Sequence, residues 1–104
     1  MIVGIGLDIV ELDRIQRAWD RFGLKFAQRI LTPGELKDLP PRPVSFLAAR
    51  FAGKEAGVKA MGTGFSRGIS FHSLGIHTQP SGKPCLEFYD QALEQAEKLR
   101  VVRV

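Results

Sequence analysis

The stretch Ser45–Gly64, SFLAARFAGKEAGVKAMGTG, decides the fold. It is rich in alanine and contains no proline, which favours a helix. Ser45 is a typical residue at a helix N-terminus, and Gly62 and Gly64 are typical after a C-terminus. The stretch therefore predicts the longest helix of the chain, from Phe46 to about Met61. Its alanines recur every four residues and predict a smooth face for close packing: Ala48, Ala52, Ala56 and Ala60.

Strand-like segments follow this helix. The patterns of Gly68 to His77 and of Lys83 to Tyr89 predict two strands of a hairpin, joined through Gln79–Gly82. Asp90 can cap a last helix, whose predicted inner face carries Leu93, Ala96 and Leu99.

Three shorter elements precede the long helix. Ile2–Leu7 reads as a short buried strand, and the pattern from Ile9 onward is helical and ends at Gly23. Thr32 and Glu35 form a capping-box pattern for a short helix through Leu39. The expected fold class is α+β, with a small, mainly antiparallel sheet packed against the long central helix.

The composition indicates one folded domain over residues 1–104, with 44% hydrophobic and 25% charged residues. Cys85 is the single cysteine, which excludes an intramolecular disulfide and a cysteine zinc site. No apolar run approaches the roughly 18 residues of a membrane span, and the N-terminus lacks the pattern of a secretory signal. We therefore expect a cytoplasmic protein that does not bind membranes.

The first helix has two contrasting faces. Its apolar residues fall within one sector: Leu12, Ile15, Trp19 and Phe22. Arg14, Arg17 and Arg21 form a ridge nearly opposite, in a chain of net charge +4. The ridge is compatible with an ordinary solvated face and with docking of an acidic partner, since arginine suits carboxylate and phosphate recognition. Nucleic acid is the less favoured partner, because no aromatic residues alternate with the basic ones.

Two carboxylates stand out by their placement. Asp8 follows an apolar strand, where it is either a helix N-cap or a charge that needs a positive partner. Glu55 lies in the middle of the alanine-rich helix, where it either pairs with Lys59 one turn later or serves a site. In the second interpretation Asp8 and Glu55 hold Mg²⁺ together with phosphate oxygens, and Lys59 contacts a phosphate.

The segments Gly4–Arg14 and Arg50–Gly64 resemble the two motifs of the bacterial 4′-phosphopantetheinyl transferases of the holo-acyl-carrier-protein synthase family. The resemblance runs in the same order along nearly all of the chain. It implies the transfer of the phosphopantetheine arm of coenzyme A to a serine of apo-acyl carrier protein, in fatty acid biosynthesis, with release of adenosine 3′,5′-bisphosphate.

The resemblance also implies roles for individual residues. Asp8 and Glu55 match the Mg²⁺ ligands, Lys59 the phosphate-contacting lysine, and the arginine ridge the helix that docks the acidic carrier protein. Glu55, a water on the metal or another acid such as Glu35 would take the serine proton. The implied coenzyme A contacts are Arg50, Lys54, Lys59, Gly62, Thr63, Gly64, Gly82, Lys83 and Pro84.

The family continues past Val104 into a further strand, so we expect that the sequence lacks this strand, with Val101–Val104 as its beginning. In the family the active unit is a homotrimer with coenzyme A at the subunit interfaces, and we expect the same assembly for a complete chain. The alternative is a non-catalytic module that docks an acidic protein through the arginine ridge.

Overall fold

The computed structural model describes residues 9–66 and 68–98, with the backbone alone for residues 9 and 10. The predicted strand Ile2–Leu7, Asp8, Leu99 and the segment Val101–Val104 lie outside the described residues. The described elements are helices α1 (Ile9–Phe22), α2 (Leu24–Ile30), α3 (Pro33–Leu36), α4 (Val44–Ala60) and α5 (Asp90–Lys98), strands β1 (Leu74–Thr78) and β2 (Pro84–Phe88), and a 3₁₀ turn at Phe71–Ser73.

The α+β class is confirmed. The two strands form an antiparallel hairpin in which Leu74 pairs with Phe88 and Ile76 with Leu86. One face of this hairpin packs on the long helix α4. No helix in the described ranges has both the length and the apolar character to cross a membrane.

Helix α1 begins at Ile9 as predicted, and Gly23 with φ 56° separates it from α2. Ile15 is buried on the apolar face, with Leu12 and Trp19 partly buried beside it. Phe22 was expected on the same face but is 53% exposed, because the chain turns at Gly23 immediately after it.

The predicted capping box is confirmed at α3. The Thr32 hydroxyl accepts a hydrogen bond from the Glu35 amide, and the Glu35 carboxylate accepts one from the Thr32 amide. The helix ends at Leu36, whereas the prediction extended it to Leu39.

Helix α4 is the longest element, but its predicted N-terminus is wrong. It begins at Val44, so Ser45 lies inside the helix and Pro43 occupies the N-cap position without a capping side chain. The predicted alanine face is buried in part, because Ala48 packs in the cluster with α1 and α2 while Ala60 is exposed. The hairpin packs against two glycines of α4. A β carbon on Gly53 would lie 2.6 Å from Ile76 Cδ1, and one on Gly57 would lie 2.9 Å from Leu74 Cδ2. The hairpin approaches α4 this closely because these two positions carry no side chain.

The first predicted strand is shorter than expected. It starts at Leu74, because the preceding residues form a 3₁₀ turn held by Ser70 and Ser73. The Ser70 hydroxyl accepts from the His72 amide, and the Ser73 hydroxyl accepts from the Ser70 amide. These local hydrogen bonds compete with strand formation.

The buried residues form two clusters. One lies between α1, α2 and the first half of α4, around Ile15, Ile30 and Leu47. The other joins the end of α4 to the hairpin and α5. In α5 the buried residues are Ala92 and Ala96, so the prediction holds for Ala96 and is wrong for Leu93, which is 41% exposed. The boundary between the two clusters is where the charged residues of α4 lie.

Candidate active site

Glu55 and Lys59 lie one turn apart on α4, as predicted. Glu55 is half-buried and Lys59 is exposed. Between residues 9 and 98, Arg67 excepted, no ion pair within 4.0 Å involves Glu55, so the surface pair with Lys59, one of the two alternatives for Glu55, is not formed. Both side chains are therefore available to a ligand, while Asp8, the third predicted catalytic residue, lies outside the described residues.

A glycine turn continues directly from these two residues. Gly62, with φ 74°, ends α4, and its amide donates to the Lys59 carbonyl at 3.0 Å. The Thr63 hydroxyl donates to the Gly64 carbonyl at 2.9 Å. Apart from the adjacent residues, no atom of the described part of the chain lies within 4 Å of where a β carbon would be on Gly62 or Gly64. The turn thus presents an open strip of backbone next to Lys59, as a segment that lines a nucleotide site requires.

The hairpin turn holds the other predicted coenzyme A segment. Gly82, with φ 86°, Lys83 and Pro84 are all exposed. Strand β1 runs antiparallel to α4, because Ile76 lies against Gly53 while Leu74 lies against Gly57. This turn therefore lies toward the beginning of α4, and the glycine turn of residues 62–64 follows its end. A single chain does not bring the two segments together.

A buried charge cluster, made of Glu35, Arg50 and Lys54, lies behind Glu55. Lys54 is 0% exposed and Glu35 is 2% exposed. The Lys54 ammonium donates to Glu35 Oε1 at 2.6 Å, to the Ile30 carbonyl at 2.7 Å and to the Phe71 carbonyl at 3.0 Å. An ammonium has three donors, and all three are used. The predicted coenzyme A contact of Lys54 does not fit this placement.

Glu35 is equally occupied. Its carboxylate accepts from Lys54, from the Thr32 amide at 2.8 Å and from the Ile76 amide at 3.0 Å. Burial by itself would raise the pKa of the Glu35 carboxyl, but these hydrogen bonds and the Lys54 charge hold that pKa below its ordinary value. A buried, paired carboxylate of low pKa is a poor proton acceptor, so this placement argues against Glu35 as the predicted base.

Arg50 completes the cluster one turn before Lys54. Its Nε is buried without a hydrogen-bond partner, 3.6 Å from Glu35 Oε2, and its guanidinium lies 4.3 Å from the centre of the Phe46 ring. Burial lowers the pKa of Arg50, while the charges of Glu35 and Asp38 oppose that change. With 16% of its side chain exposed, Arg50 retains an outward edge. Its predicted coenzyme A contact stays a prediction.

The arginine ridge lies on the exposed face of α1. Arg14 pairs with Glu11 at 2.8 Å, and Arg17 pairs with Asp13. The guanidinium of Arg21 lies 5.2 Å from the centre of the Phe22 ring. All three arginines are exposed, so the ridge is accessible to a partner, although two of its charges are partly balanced within α1.

The outer face of the hairpin carries a polar cluster that the sequence analysis missed. His77 Nε2 lies 3.0 Å from the Tyr89 hydroxyl and 3.0 Å from Glu87 Oε2, and the hydroxyl donates to Glu87 at 2.9 Å. Burial, the hydrogen bond to Glu87 and its charge raise the pKa of Tyr89 to about 12. The sequence signal for this cluster was that its residues lie on one face of the predicted hairpin, where neighbours on adjacent strands interact.

The donor set of the site is compatible with a divalent metal. The Glu55 carboxylate supplies oxygen donors, which Mg²⁺ prefers, and it is half-buried without a cationic partner among the described residues. Within the same residues no group of three or more His, Cys, Asp or Glu side chains could hold a metal. Glu55 therefore fits one protein ligand of a site completed by further oxygens.

Known proteins resemble this chain over most of its length. The family model of the 4′-phosphopantetheinyl transferase superfamily matches residues 4–103. The holo-[acyl-carrier-protein] synthase of Maridesulfovibrio salexigens is 52% identical over 102 residues, which are 97% of this chain and 82% of that protein. The crystal structure of the same-named enzyme from Neisseria meningitidis has a TM-score of 0.76 at 47% identity, covering 99% of this chain and 83% of that one.

A ligand-bound structure is also similar. The holo-(acyl-carrier-protein) synthase of Bacillus anthracis in complex with CoA (3′,5′-ADP) has a TM-score of 0.68 at 42% identity. That match covers 88% of this chain and 79% of the other.

Proposed function

Since the chain belongs to the 4′-phosphopantetheinyl transferase superfamily, we propose that it transfers the 4′-phosphopantetheine arm of coenzyme A to a serine of apo-acyl carrier protein. The observation that carries this proposal is the strip formed by the half-buried Glu55, the exposed Lys59 and the glycine turn at Gly62–Gly64. When the carboxylate holds a divalent cation, that cation, the Lys59 ammonium and the open backbone are groups that bind a pyrophosphate.

The reaction exchanges the phosphoanhydride bond of coenzyme A for a phosphodiester bond to serine. The serine Oγ forms a bond to the β-phosphorus of coenzyme A, and the bond from that phosphorus to the oxygen of adenosine 3′,5′-bisphosphate breaks. The serine proton passes to a base, and the negative charge leaves with the bisphosphate. Lys59 holds a phosphate oxygen and balances charge as it shifts to the leaving group. Glu35 and Glu55 are the two carboxylates considered as this base. Glu35 is buried, so Glu55 is the one that a substrate can reach.

Mg²⁺ belongs to this proposal, with Glu55 and Asp8 as its protein ligands. When bound, the ion neutralises charge on the pyrophosphate. The half-buried Glu55 carboxylate, without a cationic partner in the described ranges, supports its assignment as a ligand. Asp8 is assigned from the family motif alone.

We also place the coenzyme A site between copies of the chain, in a homotrimer. In support, the glycine turn at Gly62–Gly64 and the hairpin turn at Gly82–Pro84 lie toward opposite ends of α4. If both segments line one site, they come from different protomers. The remaining parts of the proposal are a role in fatty acid biosynthesis, a cytoplasmic location and a single domain over residues 1–104.

The test is to incubate the protein with apo-acyl carrier protein, coenzyme A and Mg²⁺ and to weigh the carrier protein. We expect a mass gain of one phosphopantetheine arm. Glu55→Gln removes a ligand carboxylate and should lower kcat about 100-fold or more. Glu94→Gln, the same change on an exposed face of α5, should leave kcat unchanged. No mass gain with the wild-type protein would refute the proposed function.

A further inference from the structure

We propose that the buried charge cluster of Glu35, Arg50 and Lys54 is a positioning unit that sets where the Glu55 carboxylate lies. This inference rests on the proposed function and assigns a task to Glu35 and Lys54, neither of which contacts substrate. Lys54 precedes Glu55 on α4, and Arg50 lies one turn before Lys54.

The first argument comes from the acceptors of Lys54. They belong to three separate parts of the chain: the Ile30 carbonyl ends α2, Glu35 lies in α3, and the Phe71 carbonyl belongs to the 3₁₀ turn. One nitrogen satisfies all three at 2.6–3.0 Å. A rotation or shift of α4 at residue 54 would break at least one of these hydrogen bonds, so the helix is fixed there in both rotation and height.

The second argument comes from Glu35, which extends the attachment to the hairpin. One carboxylate oxygen accepts from Lys54 and the Thr32 amide, and the other accepts from the Ile76 amide of β1. Ile76 also lies against Gly53, one turn before Gly57 on α4. The cluster therefore holds α3, α4 and β1 in one arrangement, immediately behind the residue that is to bind the metal.

The third argument follows from helix geometry. Successive residues of a helix lie 1.5 Å apart along its axis and about 100° apart around it. Because the Lys54 side chain is held in the protein interior, the Cα of Glu55 has a fixed position, and the Glu55 side chain points toward the protein surface. Glu55 has no ion pair of its own among the described residues, so the backbone at Lys54 is its main constraint.

Stability alone does not account for the cluster. Replacing a buried ion pair by apolar residues of similar volume is often neutral or stabilising, whereas removal of one partner is strongly destabilising. The ionic arrangement has directions that an apolar contact lacks, because each hydrogen bond fixes a distance and an angle. A positioning role depends on these fixed distances and angles. It predicts that metal binding and transfer stay impaired in a variant whose stability is restored.

The experiment uses Glu35→Gln/Lys54→Met, which removes the charges of Glu35 and Lys54 and nearly keeps the volumes of their side chains. Mn²⁺ binding to the protein with coenzyme A is measured by electron paramagnetic resonance, and unfolding is followed with urea. We expect the double variant to be more stable than either single variant, yet to bind Mn²⁺ about tenfold more weakly than the wild type. In the transfer assay kcat should fall about tenfold while the KM for carrier protein stays the same.

Glu94→Gln/Lys98→Met is the matched control, because it removes an exposed pair one turn apart on α5. It should change none of these quantities. If the double variant folds and binds Mn²⁺ as the wild type does, the positioning role is refuted. Should it not fold, Glu35→Asp keeps the charge but shortens the side chain, and it is expected to weaken Mn²⁺ binding several-fold. Wild-type affinity in folded Glu35→Asp would then overturn the inference.

The two proposals fail in different ways. A wild-type protein that gives no mass gain and binds no Mn²⁺ refutes the proposed function, and the inference with it. A wild-type protein that transfers the arm, beside a double variant with unchanged Mn²⁺ affinity and kcat, refutes the inference alone.

Discussion

Gly57 of α4 and Leu86 of β2 are so close that a β carbon on the glycine would lie 2.9 Å from Leu86 Cδ2. The same β carbon would lie 2.9 Å from Leu74 Cδ2, and Leu74 is fully buried. This contact sets the separation between the hairpin and the long helix. It also makes the helix sensitive to the smallest possible side chain at this position.

Gly57→Ala is therefore expected to destabilise the fold. Alanine improves helix propensity by about 1 kcal/mol, but overpacking two leucines costs roughly 1–3 kcal/mol, for a net loss of about 1 kcal/mol. Urea unfolding measures the change. Gly34→Ala is the control, since its β carbon would meet nothing closer than 3.9 Å, and it should be neutral or slightly stabilising. Equal effects of the two substitutions would contradict the packing argument.

Glu35→Gln should change how stability depends on pH. The folded pKa of Glu35 is lower than its unfolded value, so its contribution is present above the unfolded pKa and is lost as the pH falls through the folded pKa. At neutral pH the variant should be less stable by roughly 3 kcal/mol. Below about pH 5 the gap between wild type and variant should narrow.

Urea unfolding at a series of pH values checks this expectation. Glu94→Gln alters an exposed carboxylate and should give a curve parallel to that of the wild type. A gap between wild type and Glu35→Gln that stays constant down to acid pH would show that the Glu35 charge is not stabilised by its partners.

Tyr89 should titrate at a pKa of about 12, because burial, the hydrogen bond to Glu87 and the Glu87 charge all disfavour the phenolate. It is the single tyrosine, so tyrosinate absorbance reports it alone. Glu87→Gln should move the pKa back toward the ordinary value near 10. The contribution of Tyr89 to stability depends on pH in the opposite direction to that of Glu35. It is complete below the unfolded pKa and is lost as the pH rises through the folded pKa. An unchanged titration in Glu87→Gln would contradict the assigned hydrogen bond.

The arginine ridge should act on carrier-protein binding. Arg17→Ala/Arg21→Ala removes two exposed charges of α1, and we expect the KM for the acidic carrier protein to rise about tenfold with kcat unchanged. The effect should shrink as salt is added. Arg42→Ala/Lys98→Ala removes the same charge from exposed positions elsewhere. A similar rise in that control would attribute the effect to net charge instead of to the ridge.

Local patterns predicted the elements that depend on neighbouring residues. The capping box at Thr32 and Glu35 was confirmed because both of its hydrogen bonds lie within four residues. The apolar face of α1 and the pairing of the hairpin followed from periodicities of the same range. The start of β1 was misjudged, because the hydroxyls of Ser70 and Ser73 stabilise a 3₁₀ turn that periodicity does not show.

The pairing of Glu35 with Lys54 was beyond such patterns. The two residues are 19 positions apart, and each fits a different local explanation. A lysine on the buried face of α4 was the available signal, because a charge there needs a partner. The position of Leu93 was misjudged for a related reason: Ala92 and Ala96 allow α5 to pack closely, so the helix is rotated away from its larger apolar residue.

Two of the three acceptors of Lys54 are main-chain carbonyls, at Ile30 and Phe71. Any amino acid supplies the same carbonyl, so a substitution at either position changes the side chain and leaves the acceptor in place. The lysine is thus matched to the path of the chain at these points, and its hydrogen bonds there do not depend on which side chains the two residues carry. A search for pairs of positions that change together would detect position 35 as the partner of position 54 and would overlook the other two.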